Sequence, residues 1–211
     1  MAVTESLIRR AEVKDWPAIR AICCKTGNAG NSIDESRWPF FGELWVGPYQ
    51  KLRSDWAFVL EEESEVVGYL TGCPDTIKFE AEKKLYSVFP LFFKTLLGFY
   101  ESNGDTKRFI KRTIGVEKWP EEMFPKAFRQ SMYKEFPAHL HINLDASRRS
   151  KGTGSKLMEY YFDQLRANNI KGVHLFCGAG PLNFYKRLQF SELMTIEFRP
   201  GVIVYALGRK L

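Results

Sequence analysis

The 211-residue sequence predicts an α/β protein, with strands and helices interleaved along one chain. Three observations carry that prediction. First, Ala138 to Asp145 (A-H-L-H-I-N-L-D) alternates apolar and polar residues, a helical pattern follows from Gly154 to Asn168, and Gly172 to Cys177 (G-V-H-L-F-C) is a second apolar strand. A strand, helix, strand unit of this length predicts a parallel pair joined by a right-handed crossover. Second, Trp56 to Glu61 and Val66 to Thr71 are β-branched and aromatic runs around an acidic turn, the pattern of an antiparallel hairpin. Third, Glu192 to Gly208 reads as a closing hairpin turned at Pro200 and Gly201.

The remaining elements follow in chain order. Residues 6 to 10 read as a first strand, and Asp15 can cap a helix that carries Trp16, Ile19, Ile22 and Cys23 on one face, with Pro17 tolerated in its first turn. Gly27 and Gly30 end it. Asn28 to Tyr49, rich in aromatics, Gly and Pro without a clean period, reads as a loop with short helical pieces able to line a pocket. From about residue 77 to 133 the chain is helical in character, with breaks expected at Pro90, Ser102 to Asp105, Pro120 and Pro125. Along the strand at 138–145, Leu140, Ile142 and Leu144 share one face, and His139, His141, Asn143 and Asp145 the other. Leu182 to Leu188 reads as a short helix. The expectation is one domain over residues 1–211, with a helical insert at about 77–133.

Composition narrows the class. A chain that is 45% hydrophobic and 15% aromatic can bury a full core. Its net charge of +6 suits an acidic partner, such as a nucleotide cofactor, a polyanion or a membrane surface. Cys23, Cys24, Cys73 and Cys177 show no C-x-x-C spacing and no secretory leader is visible, so free thiols in a reducing cytoplasm are expected. The apolar stretch at 89–99, interrupted by Pro90 and Lys94, falls short of the roughly 18 residues of a membrane span, and no membrane partner is expected. The basic run K-R-F-I-K-R-T at 107–113 reads as a solvated helix face, without a nucleic-acid motif beside it.

The stretch R-S-K-G-T-G-S-K, Arg149 to Lys156, lies between a strand and a helix. A helix start exposes unpaired amides at the positive end of its dipole, and Gly152 and Gly154 let the main chain close on an anion. Neither the Walker loop nor the dinucleotide fingerprint fits these spacings, which leaves a diphosphate held by a two-glycine loop. Arg149 to Gly154 resembles the [QR]-x-x-G-x-[GA] signature of the Gcn5-related N-acetyltransferases, and F-Y-K-R-L-Q-F at 184–190 is similar to that family's F-Y-x-x-x-G-F element. Further stretches, I-C-C-K-T-G, W-V-G-P-Y, F-V-L-E-E, V-V-G-Y-L-T-G, P-A-H-L-H-I and G-V-H-L, resemble the acetyltransferase-like domain of eukaryotic O-GlcNAc hydrolases and its free-standing relatives. The chain departs from the pattern at Gly178 and Pro181, where many members have Asn and Ala, and at Gln189, which stands for Gly.

The resemblance implies a mixed, mostly antiparallel twisted sheet, helices on both faces, and a central parallel pair splayed at the cofactor site. It implies acetyl-CoA as cofactor and direct transfer of acetyl to an amine acceptor, a small molecule or a protein, by a monomer or homodimer. Arg149, Ser150, Lys151, Gly152, Thr153, Gly154 and Ser155 would hold the diphosphate, with Ile142, Asn143 and Leu144 on the strand and Asn183 and Phe184 on the short helix completing the cofactor contacts. Tyr185 would stand beside the cofactor sulfur as proton donor. On the residues alone, His141 is the first candidate base and Asp145 the second, because neutral imidazole can take a proton from an ammonium. His139 and His174 complete a histidine set on the two strands, and no metal site is expected. Cys177 reads as a structural thiol, and Asp75 as a cap or turn residue. The alternative is a pseudo-acetyltransferase that binds without turnover.

Overall fold

The computed structural model describes residues 6–148 and 152–211; Arg149, Ser150 and Lys151 of the glycine loop lie outside the described residues. At its centre is a seven-stranded sheet in the order β1-β2-β3-β4-β5-β7-β6. The strands are β1 Ser6–Arg10, β2 Ala57–Glu62, β3 Glu65–Cys73, β4 Ala138–Leu144, β5 Gly172–Cys177, β6 Ser191–Arg199 and β7 Val202–Lys210. Adjacent strands are antiparallel except β4 and β5, which are parallel. The mixed, mostly antiparallel sheet that the resemblance implies is present.

Helices cover both faces. On one side, α8 (Thr153–Ala167) buries Leu157, Met158, Tyr161, Phe162 and Leu165 against Phe58, Leu60, Leu70 and Leu140, each large side chain contributing about 2 kcal/mol of apolar burial. Tyr161 reaches into the β3–β4 ladder, where its hydroxyl donates to His139 O at 2.8 Å, and this pins the helix to the strands. On the other side, α1 (Trp16–Lys25) packs Trp16, Ile19, Ile22 and Cys23 on Val59 and Tyr69.

Three local expectations are corrected. Asp15 does not cap α1 through its side chain; its carboxylate accepts from Glu12 N (2.7 Å) and from Arg9 (2.6 Å), tying β1 to the helix start. Residues 28–34 are the expected loop, but the helical pieces after it take a larger share than expected, because α2 (Trp38–Trp45) and α3 (Gly47–Leu52) place Pro39 and Pro48 in their first turns, where a missing N–H breaks no bond. Pro90 does not break the chain either. A continuous run comprises α4 (Thr76–Lys83), a π turn (Lys84–Val88) and α5 (Phe89–Leu96). The carbonyl that Pro90 cannot satisfy four residues back, Tyr86 O, accepts instead from Lys51 Nζ at 2.7 Å.

The breaks at 102–105, 120 and 125 are observed. Asn103 caps α6 (Gly104–Thr113) by accepting from Asp105 N and Thr106 N, and α7 (Lys126–Glu135) follows Pro125. The short α9 spans Leu182–Arg187, and Gly201 turns the last hairpin at φ +74°. No helix among the described residues is long and apolar enough to cross a membrane.

Candidate functional site

β4 and β5 pair only through Ala138 with Val173 and His139 with His174. Beyond that point β4 continues to Leu144 and β5 to Cys177 without pairing, so the parallel strands part. The amide of Asp145 donates to Val67 O at 2.9 Å, in register with Leu144 opposite Gly68. Antiparallel alternation then turns the main chain of Asp145, Asn143, His141 and His139 toward β3, and that of Ile142 and Leu144 along the opening.

The start of α8 abuts the same opening. Gly152 stands before it at φ +77°, a conformation that favours glycine, and a Cβ there would meet nothing within 4 Å. The amides of Ser155 and Lys156 reach back to Gly152 O at 3.1 and 3.2 Å, while the amide of Gly154 precedes any intrahelical acceptor. Gly154 backs onto Leu144 of β4 and Phe184 of α9, with 3.1 and 3.5 Å left for a Cβ. Thr153 is buried, Ser155 half-buried and Asn183 exposed. The described cofactor candidates therefore cluster around the parted strand ends and the first turn of α8.

The polar stripe of β4 divides. His139 is fully engaged: Thr76 Oγ1 donates to Pro137 O (2.8 Å) and so accepts from His139 Nδ1 (2.8 Å), leaving Nε2 to accept from the Tyr49 hydroxyl (2.8 Å). Burial, with His174 alongside, holds its pKa well below the ordinary value. His174 sets its Nδ1 2.6 Å from Phe136 O, and burial lowers its pKa to about 4. These two are hydrogen-bonded core histidines. His141 is exposed, with the Trp45 ring at 5.9 Å, and desolvation by its neighbours, then the charge of Lys83, lowers its pKa.

Asn143 donates from Nδ2 to the buried Tyr69 hydroxyl at 2.8 Å. Asp145 accepts from the amide and hydroxyl of Ser147, 3.0 and 2.8 Å, in a turn just past β4. Tyr185 is buried against Phe184 and Phe190, and burial raises its pKa above the ordinary phenol value, with Cys177 the second cause. Cys177 is half-buried rather than enclosed, its thiol pushed up to about 11 by burial. Asp75 caps α4 by accepting from Lys78 N at 3.0 Å. Among the described residues no group of three or more His, Cys, Asp or Glu has the arrangement of a metal site.

Sequence reasoning missed residues contributed by the helical insert. Trp119 meets Trp45 edge-on at 6.3 Å, so the ring that stands beside His141 is backed by a residue far away in the chain. Glu121 is half-buried with its pKa raised by desolvation, and Glu80 and Lys83 are among its electrostatic neighbours. The aromatic richness of residues 37–49 pointed to Trp45; no motif marks Trp119 or Glu121.

A thioester cofactor with a diphosphate needs an anion seat at backbone amides and a slot for its arm, and the α8 start beside the β4–β5 opening fits both needs. No family model matches the chain. Over 205 residues, 94% of this chain, it is 26% identical to Protein O-GlcNAcase of Rattus norvegicus. The chain spans 21% of that relative's length. The solved structure of SsHAT matches at TM-score 0.77 and 26% identity over 98% of both chains. An N-acetyltransferase from Staphylococcus aureus Mu50 matches at 0.57 and 16% identity, covering 98% and 99% of the two chains. The protein yncA from Salmonella typhimurium, solved with its cofactor acetyl-CoA, matches at 0.54 and 13% identity, covering 99% and 95%. The chain thus has the fold of the Gcn5-related N-acetyltransferases and, within that fold, resembles the acetyltransferase-like domain of the O-GlcNAcases.

Proposed function

We propose that this chain is an acetyl-CoA-dependent N-acetyltransferase that moves an acetyl group directly to the amine of a small molecule or protein. The observation that carries the reading is the opening between β4 and β5 beyond the His139–His174 pair, with the first turn of α8 set beside it. When bound, acetyl-CoA supplies an acetyl group activated as a thioester. The main chain from Arg149 to Ser155 would hold its diphosphate, the helix dipole adding to the attraction. Ile142, Asn143 and Leu144 on one side, and Asn183 and Phe184 on the other, would flank its arm.

The chain's own groups divide the proton work. Tyr185 carries its proton at neutral pH as an ordinary phenol does, burial holding it more firmly still, so its role toward a departing thiolate would be that of donor at the phenol oxygen. His141, with its pKa lowered, is neutral at pH 7 and a weaker base than a free imidazole, and its ring can accept a proton from the incoming ammonium, directly or through water. Asp145 is the second candidate, with one carboxylate oxygen already engaged by Ser147. The Cys177 thiol, at about 11, stays protonated and is a poor nucleophile, which favours direct transfer over a route through an acetylated cysteine.

A second reading, a pseudo-acetyltransferase that binds without turnover, draws on Asn143, whose amide is tied to Tyr69 and brings no carboxylate to the opening. The deciding experiment incubates the protein with acetyl-CoA and a broad amine panel and measures thiol release. Amine-dependent release supports the enzyme; cofactor binding with no release across the panel moves the assignment to the binding module.

A further inference from the structure

A cavity of about 480 Å³ lies between the end of α6 and the start of α7, outside the cofactor opening. Four cations line it, Arg112, Lys118, Lys126 and Arg129, against two carboxylates, Glu117 and Glu122. Both carboxylates are already engaged. Glu117 Oε1 accepts from Arg112 (3.3 Å) and from Arg199 of β6 (3.2 Å), and Glu122 Oε2 accepts from Trp119 N (2.8 Å). Lys118 and Lys126 form no ion pair among the described residues.

Arg112 is the unusual member. Its side chain is only 10% exposed and its guanidinium lies over the Trp119 ring at 4.8 Å. Of its five N–H donors, one reaches the single long contact to Glu117, and Nε has no acceptor among the described residues. A guanidinium removed from water and left under-paired is costly, and burial accordingly lowers its pKa. Its planar fork suits a carboxylate or phosphate, which would supply the missing acceptors. Phe124 on the cavity wall packs on Phe176 of β5 at 5.1 Å, which ties the wall to one of the two strands that border the opening.

We propose that this cavity is an oxyanion subsite, in which Arg112 with Lys118, Lys126 and Arg129 holds a carboxylate or phosphate group. The group belongs either to the amine acceptor, extended from the transfer site, or to a free phosphate-like effector. The assignment to the acceptor rests on the acetyltransferase reading; the binding of an oxyanion does not.

The test uses the whole chain and inorganic phosphate, titrated by calorimetry against chloride at matched ionic strength. Saturable phosphate binding is expected, weakened at least about tenfold in Arg112→Gln, the range for a lost charge-assisted hydrogen bond. Lys126→Gln, at an exposed position, should weaken it about threefold and keeps the test valid if the Arg112 variant fails to fold. Phosphate bound no better than chloride, or bound equally by wild type and both folded variants, overturns the subsite. To separate the sources, thiol release is compared for a carboxylate-bearing amine and its carboxamide. A preference for the carboxylate that Lys126→Gln lowers by about the same factor as phosphate binding places the group on the acceptor, whereas equal rates that respond to added phosphate indicate a free effector. A protein that binds phosphate through Arg112 yet turns over no amine would remove the acetyltransferase reading and leave the subsite standing.

Discussion

His139 and His141 stand two residues apart on one strand face and do different work. His139 is closed off by Tyr49 and Thr76, while His141 meets water and an aromatic wall. No sequence pattern separates them, because their partners come from α2, α3 and α4. The buried pair has a consequence for stability. His174 has a folded pKa of about 4 against an unfolded value near 6.5, so between these limits the unfolded chain binds the extra proton and stability falls as pH falls. The expected loss from this one group is about 3 kcal/mol across the window, from 1.36 kcal/mol per pKa unit. Denaturant melts at pH 7 and pH 4.5 check it: His174→Gln should lose less stability than wild type over that interval, and an identical slope would dismiss the assignment.

Gln189 carries a second residue-scale result. It stands where the resembled family has Gly, and its φ is +61°, so the departure from the pattern leaves a side chain in a left-handed backbone. Gln189→Gly should relieve about 1 kcal/mol and raise Tm by about 2–4 °C in thermal unfolding. Tyr185→Phe keeps the ring in the core and removes only the hydroxyl, so turnover should fall by about tenfold or more while acetyl-CoA affinity holds. Equal turnover would take Tyr185 out of the chemistry.

At the scale of elements, the opening depends on how firmly α8 is held under β3 and β4. A Cβ at Gly72 would stand 2.4 Å from the Tyr161 hydroxyl and 2.8 Å from His139 O, and the second of these is backbone that cannot swing aside. Gly72→Ala should therefore destabilise the fold by about 1–3 kcal/mol, measured by denaturant midpoint at constant m-value, and should weaken cofactor binding with it. A neutral effect would mean that α8 is not locked in this way. The strands, the β2–β3 hairpin and α8 were legible because period and turn chemistry are local. Pro39 and Pro48 occupy first helical turns, where no donor is missed, whereas Pro90 lies inside a continuous helical run and a lysine from another helix supplies the missing donor. That compensation is tertiary and leaves no local mark.

At the scale of the whole molecule, α/β character and the parallel crossover could be read from residues 138–177, and resemblance to a known family supplied the splay of the central pair. Strand order across the sheet could not be read from periodicity, since β5 finds its partner in β7, beyond α9 and β6. The insert was legible as helices but not as a wall, because Trp119 and Arg112 acquire their roles only when α6 and the following turn fold back toward α2 and β6. The proposed cofactor side thus follows from a motif, and the aromatic surroundings of His141 emerge only from packing.

The central claim is that the first turn of α8 seats the cofactor's diphosphate. Calorimetric titration of acetyl-CoA into the intact chain and into Gly152→Trp addresses it most directly, since an indole at Gly152 would fill the open space before the helix. Micromolar affinity in the wild type, lost by at least about a hundredfold in a variant that still melts cooperatively, is the predicted result. Undiminished affinity in the folded variant, or none in the wild type, would contradict it.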